Sequence, residues 1–191
     1  MRKIITAPAL EPITTAEAKI YLKVDDSTED TLIAALIVAA RQMAEKYMNR
    51  SLIKTVWESM FDDFPGADQD STFEIAPSPV SAINTVKYYN SANVLTTLAS
   101  TVYLTDYVSE PSSLSLQPGQ SWPDTADRKN AVVINYDAGY GTAASAVPDL
   151  IKAGIYLIIG HLYENRQDVT KEKMNELPIG SKSLFDMYRV Y

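Results

Sequence analysis

The sequence predicts an α+β fold: a helical bundle drawn from both chain ends, with an inserted, mostly antiparallel β region between them. Three observations carry this. An unbroken apolar stripe at helical spacing runs from Leu32 to Tyr47. Between Thr55 and Asp137 the period changes, and short runs of β-formers are separated by Pro, Gly, Asn, Asp and Ser. From Val147 to Tyr163 the run VPDLIKAGIYLIIGHLY is apolar on nearly every side, so it must be buried against other helices or subunits. The expected division is 1–50 for the N-terminal helices, 51–146 for the β region and 147–191 for the C-terminal helices.

The first helix begins at Thr14, where Thr14-Thr15-Ala16-Glu17 has the spacing of a capping box, and it ends near Val24. Ser27-Thr28-Glu29-Asp30 offers a cap with acidic first-turn residues, so the second helix is expected from about Thr28 to Met48. Strands are expected at Thr55–Phe61, Thr72–Ala76, Ile83–Tyr89, Val94–Leu98, Val102–Val108, Leu114–Gln117 and Ala131–Asp137. Pro148 suits the first turn of the third helix. A last short helix is expected from Ser181 to Tyr188, after the stop signals Pro178 and Gly180.

Composition narrows the function. A chain of 191 residues is one large domain or a core with an insertion, and it buries roughly 70% of its unfolded surface. The absence of cysteine excludes thiol nucleophiles, cysteine–zinc sites and disulfide frameworks. MRKIITAPALEP has two basic residues but no long apolar stretch behind them, and the 147–163 helix is short and carries Asp149 and Lys152. The chain therefore reads as soluble, without signal peptide or membrane span. A net charge of −7 argues against a phosphate-binding surface as its main business.

The search for chemistry is mostly negative. His161 is the one histidine, it sits inside the apolar C-terminal helix, and it reads as structural. Gly139-Tyr140-Gly141-Thr142-Ala143-Ala144 fits a dinucleotide fingerprint, but the helix waits until Pro148 and no strand follows it, so it reads as a turn leaving the sheet. Glu58, Asp62, Asp63, Asp68, Asp70 and Glu74 hold paired carboxylates. Acid–base work needs one of a pair held in an apolar pocket, whereas most of these lie in a loop of Gly, Asp and Ser and read as solvated. A calcium site there lacks EF-hand spacing. No metal and no cofactor is expected. The chain has twelve tyrosines and two tryptophans, residue types enriched at interfaces. Trp122 sits in the loop Pro118-Gly119-Gln120-Ser121-Trp122-Pro123 and needs a cover, supplied by this chain or by a neighbour.

The ordered segments resemble the tailed-phage head-tail connector, or adaptor, family, in its branch with a β insertion between the helices. The matching pieces are Ile13 to Lys19 with Leu22-Lys23-Val24-Asp25, the long helix ending Tyr47-Met48-Asn49-Arg50-Ser51-Leu52, and the Pro118 to Pro123 loop. Further along they are Val133-Ile134-Asn135-Tyr136 with Ala138-Gly139-Tyr140-Gly141, Val147-Pro148 leading to His161 through Arg166, and Leu177-Pro178 through Val190. Their order and spacing over about residues 10 to 190 carry the specificity.

What the resemblance implies is a non-catalytic virion assembly protein of a bacteriophage or prophage. It would form a ring, commonly with the portal's twelvefold symmetry, under the portal at the head-tail junction, after assembly in the host cytoplasm. Its expected partners are the portal protein, the next connector or tail-completion protein, and further copies of itself; DNA passes through the channel without specific binding, and no membrane is involved. An acidic chain would let DNA pass without trapping it. The resemblance places the portal contact in the C-terminal segment, where Tyr188, Arg189 and Tyr191 are anchors of the kind that dominate interfaces. The full set of candidate portal or subunit contacts is Trp122, Tyr163, Arg166, Phe185, Tyr188, Arg189 and Tyr191. The alternative for the tail is that it folds back on its own bundle, and for Arg166 that it is a cation at a helix C-terminus. Two other functions stay open at this stage: a small carboxylate-dependent, carbohydrate-active hydrolase using the 58–74 stretch, and another phage tail-completion protein.

Overall fold

The computed structural model describes residues 1–66, 72–165 and 178–191. They form two compact units, each assembled from two stretches of chain: Met1–Pro8 with Lys54–Tyr140, and Ala9–Ile53 with Gly141–Tyr191.

The first unit is all β. Its strands are β1 (Arg2–Thr6), β2 (Thr55–Phe61), β3 (Thr72–Ile75), β4 (Val80–Tyr89), β5 (Leu95–Thr97), β6 (Tyr103–Asp106), β7 (Ser112–Leu116) and β8 (Val132–Ala138). They make a five-stranded sheet in the order β1-β2-β8-β4-β5 and a three-stranded sheet in the order β3-β7-β6. Every pairing between the described strands is antiparallel, with Thr55 to Phe61 in continuous register against Ala138 to Val132. β8 lies at the centre because its buried positions Val132, Ile134, Tyr136 and Ala138 recur every second residue. They share one apolar core with Val80 and Val86 of β4, Phe73 and Ile75 of β3, and Leu114 of β7. Each such aliphatic side chain contributes about 1.5–3 kcal/mol when fully buried. Tyr136 is fully buried, and its hydroxyl is satisfied by Ser59 at 3.1 Å and by donating to the Ala76 carbonyl.

Each of the seven expected β runs overlaps one strand. The sequence reading places no strand before Thr14, yet β1 is there. All five of its residues are exposed, so it has no apolar alternation to betray it.

The second unit is helical: α1 (Thr15–Leu22), α2 (Asp30–Met48), α3 (Asp149–Glu164) and α4 (Ile179–Asp186), with a 3₁₀ turn at Ala144–Ala146. The capping box at α1 forms as read: the Glu17 amide donates to Thr14 Oγ1 at 3.2 Å and the Thr14 amide donates to the Glu17 carboxylate at 2.8 Å. The helix ends at Leu22 because Lys23 takes a left-handed conformation at φ 57°. The Ser27-Thr28 cap is not made. Thr28 bonds the Asp26 carboxylate instead, and Glu29 precedes α2 without a side-chain cap. α2 buries Ile33, Ile37, Ala40, Ala44 and Met48, one stripe at helical spacing.

α3 buries Ile151, Gly154, Ile155, Ile158 and Ile159, but Leu150 and Leu157 remain 41% and 38% exposed. Its apolar surface is thus a broad stripe facing α2 and α4, with α1 beside it, and not a fully enclosed cylinder. In α4 the polar Ser181 is fully buried because its hydroxyl donates to the Pro178 carbonyl at 2.8 Å. None of the described helices is long and apolar enough to cross a membrane.

Candidate assembly surface

The C-terminal turn and tail are fixed on the end of α2. Phe185 is fully buried, with its ring 6.3 Å from that of Tyr47. The Tyr47 hydroxyl donates to the Asp186 carboxylate, which raises the tyrosine's pKa. Arg50 donates to the Tyr188 carbonyl, and the Val190 amide donates to the Met48 carbonyl at 3.0 Å. The Arg189 guanidinium lies 4.9 Å from the ring centres of both Tyr47 and Tyr191. The tail therefore folds back on its own bundle and still presents Arg189 and an 88% exposed Tyr191.

The seven candidate contact residues are divided between the two units. Trp122 lies in the β unit, stacked on Phe64 at 4.8 Å with 8° between the planes, and near Phe73. Its own chain supplies part of the cover it requires, and the residue stays half-buried. Phe185, with no exposed surface, presents nothing to a partner, which corrects its place among the contact residues. Tyr163 donates to the Glu29 carboxylate within the helical unit. Arg166 lies outside the described residues. Tyr188, Arg189 and Tyr191 do cluster, at the end of α4.

The features weighed for chemistry assemble no reaction centre among the described residues. His161 is half-buried with Asn165 beside its ring, the Asn165 amide donating to the His161 carbonyl at 2.9 Å. Gly139 leaves the sheet at φ 133°, and the following segment runs through the 3₁₀ turn into α3, with no strand beyond it among the described residues. Glu58 pairs with Lys3 at 2.7 Å, and Asp62 with Lys129 at 2.8 Å. The Lys129 contact, and then the Asn130 amide, hold Asp62 below the usual carboxylate range. Asp63 accepts from the Thr125 hydroxyl at 2.7 Å. Asp68 and Asp70 lie outside the described residues. No group of three His, Asp or Glu side chains among the described residues is placed to hold a metal.

Two polar clusters escaped sequence reasoning. In the helical unit, buried Arg41 bonds Glu11 at 2.6 Å and Glu45 at 2.5 Å, and Glu45 also accepts the Leu52 amide at 2.9 Å. Burial is the largest influence on Glu45 and holds its pKa above the ordinary value. The four-residue spacing of Arg41 and Glu45 was the available signal. In the β unit, Asp137 bonds Lys54 at 2.7 Å and Asn84 at 2.8 Å. Burial alone would raise its pKa, but these two partners outweigh it and the pKa is lowered.

A β unit, a helical unit built from two separate stretches of chain, and a docked aromatic–guanidinium terminus define a protein that offers surfaces. Residues 12–103 match the family model described as Phage gp6-like head-tail connector protein, so the connector resemblance read in the sequence is shown over that span. The match takes in α1, α2, the strands β2 to β5 and the first residue of β6, but not β1. Among solved structures, the fold is similar to a chain in the virion of a native gene transfer agent particle, at 20% identity and a TM-score of 0.79, covering 100% of this chain and 96% of the other. It is similar to a chain in the neck of an empty gene transfer agent particle, computed with C6 symmetry, at 19% identity and a TM-score of 0.78. A chain in the native neck, computed with C12 symmetry, gives 18% identity and a TM-score of 0.71. In both neck structures the coverage is again 100% of this chain and 96% of the other. At these identities the likeness is one of fold. No curated protein matches the chain.

Proposed function

We propose that this chain is a non-catalytic head-tail connector: a virion protein that forms a ring at the head-tail junction, lengthens the DNA channel and joins head to tail. The observation that carries the reading is the connector-family match over residues 12–103. A fold similar over its full length to chains of gene transfer agent virions and necks supports it. The neck reconstructions carry sixfold and twelvefold symmetry, which agrees with a ring of identical copies.

In this reading one side of the ring meets the portal and another meets the next connector or tail component, and DNA passes without specific contacts. The C-terminal cluster of Tyr188, Arg189 and Tyr191 is the proposed portal contact, with Tyr163 and Arg166 as further candidates on the C-terminal segment. Docking is assigned to the helices of 1–50 and 147–191, with the β region of 51–146 inserted between them in the sequence. The solvated, ion-paired state of Glu58 and Asp62 favours this over a carboxylate-dependent hydrolase.

Size-exclusion chromatography with light scattering tests it, on the full chain alone and mixed with the portal ring of the same phage. A ring-sized oligomer or a stable portal complex is expected. A monomer that ignores the portal under all conditions overturns the reading.

A further inference from the structure

The two outer strands of the five-stranded sheet, β1 and β5, have no strand beyond them among the described residues. The hydrogen-bond pattern tells which residues face outward. Met1 and Met60 exchange both backbone bonds, at 2.9 and 2.7 Å. In an antiparallel ladder such pairs alternate, so Lys3 and Glu58 form the next one, and Arg2 and Ile4 direct their N–H and C=O groups to the open edge. At the far edge the Leu98 amide donates to Val86 at 2.8 Å and the Asn90 amide to Val94 at 3.1 Å. With Tyr88 opposite Thr96, the same alternation turns Leu95 and Thr97 outward.

The edges therefore match: each presents two outward residues spaced two apart. They also run in the same direction, because four antiparallel steps separate them. Both carry uncovered apolar side chains, Ile4 at 49% exposure on one and Val94 at 57% and Leu95 at 46% on the other. The usual edge blockers do not act here. Lys3 pairs with Glu58 on the adjacent strand and the Arg2 guanidinium lies 5.9 Å from the Trp57 ring centre, so both charges have partners on β2.

We propose that neighbouring copies join through these edges, β1 of one copy pairing in parallel with β5 of the next, so that the sheet continues across the subunit boundary. This rests on the ring reading above. In a closed ring of many copies, neighbours differ by a small rotation, so strand direction is kept and the junction is parallel. Ile4 of one copy sits between Leu95 and Thr97 of the next: its N–H donates to the Leu95 carbonyl and its C=O accepts from the Thr97 amide. This register sets Ile4 beside Thr96 and diagonal to Val94, which covers the exposed apolar pair. The bulge between Ile4 and Thr6 ends the run. The pairing joins two different edges of the same chain, the heterologous type of contact that closes rings.

The chain has no cysteine, so disulfide trapping reads the contact directly. The full-length double variant Ile4→Cys with Thr96→Cys, assembled on portal rings and oxidised, is expected to give a ladder of covalent multimers on a non-reducing gel. Either single variant should give none. Rings of normal size that fail to cross-link overturn the edge pairing while leaving the connector reading standing. So does cross-linking by Ile4→Cys alone, which would mean a twofold β1–β1 contact. If the unaltered chain forms no ring on the portal, both readings fall. Ile4→Pro is the second variant: it removes an N–H that points outward and spares the bonds between β1 and β2. It should keep the circular dichroism and melting profile of the parent chain and lose ring formation; normal rings would overturn the proposal.

Discussion

The ring of Phe185 occupies the space left by the missing side chain of Gly154. A Cβ placed on Gly154 would lie 2.8 Å from the Phe185 Cζ, well inside contact distance, so α4 reaches α3 only because that helix position is glycine. Gly154→Ala is therefore expected to lower stability by about 1–3 kcal/mol through overpacking, despite the better helix propensity of alanine. Thermal or denaturant unfolding of the purified chain measures this; an unchanged midpoint would mean that α4 shifts freely.

The same contact decides how the tail is tested. Truncation from Ser183 removes Phe185 and opens the bundle, so loss of portal attachment in that variant would say nothing about the interface. Arg189→Ala and Tyr191→Ala remove exposed groups whose ring contacts are worth at most about 1 kcal/mol at such sites. They should leave unfolding nearly unchanged and reduce attachment to portal-bearing capsids, read by co-sedimentation. Full attachment by both variants would send the portal contact elsewhere.

Trp122 stacks on Phe64 with its indole Nε1 buried and without a hydrogen-bond partner among the described residues. Trp122→Phe keeps the stacking and removes the unmet donor, so its stability should fall within about 1 kcal/mol of the parent, whereas Trp122→Ala should cost roughly 3 kcal/mol. Equal losses in both variants, measured by urea unfolding, would show that the indole N–H matters.

Asp137 contributes to the acid sensitivity of the β unit. Its folded-state pKa lies below the ordinary aspartate value because Lys54 and Asn84 outweigh burial. The folded state then binds fewer protons than the unfolded one, so this contribution is present above the unfolded pKa and is lost as pH falls through the folded one. Unfolding midpoints followed from neutral pH down through the carboxylate range should drop less steeply for Asp137→Asn than for the parent. Parallel slopes would remove Asp137 from the account.

Asp62→Asn and Asp63→Asn should leave ring formation and portal attachment intact, because both carboxylates sit among exposed loop contacts. A loss of function confined to these variants, with folding preserved, would reopen the hydrolase alternative.

The repeating patterns of the chain were legible where burial is periodic. The stripe of α2, the capping box of Thr14 and Glu17 and the alternation through Val132, Ile134 and Tyr136 all encode their structure locally. β1 was not legible, since its partners lie fifty or more positions away in β2 and its five residues are all exposed. The cover of Trp122 was equally hidden, because Phe64 and Phe73 meet it only after the strands between them have paired. Ser27 and Thr28 offered a cap that the backbone declined, Thr28 being drawn to Asp26 instead. The candidate contact set suffered from the same limit: aromatic type marks a residue that prefers burial, and nothing in the type says whether its own chain or a neighbour provides it.

Because each unit is made from two stretches of chain, the order of synthesis matters. The strand at Arg2–Thr6 is made before its partner at Thr55–Phe61, with α1 and α2 synthesised between them. Those two helices must in turn wait for Asp149–Glu164 and Ile179–Asp186, which are made more than a hundred residues later. Each unit therefore stays incomplete until a distant stretch of chain has been made, and until then the nascent chain exposes apolar helix faces and an unfinished sheet.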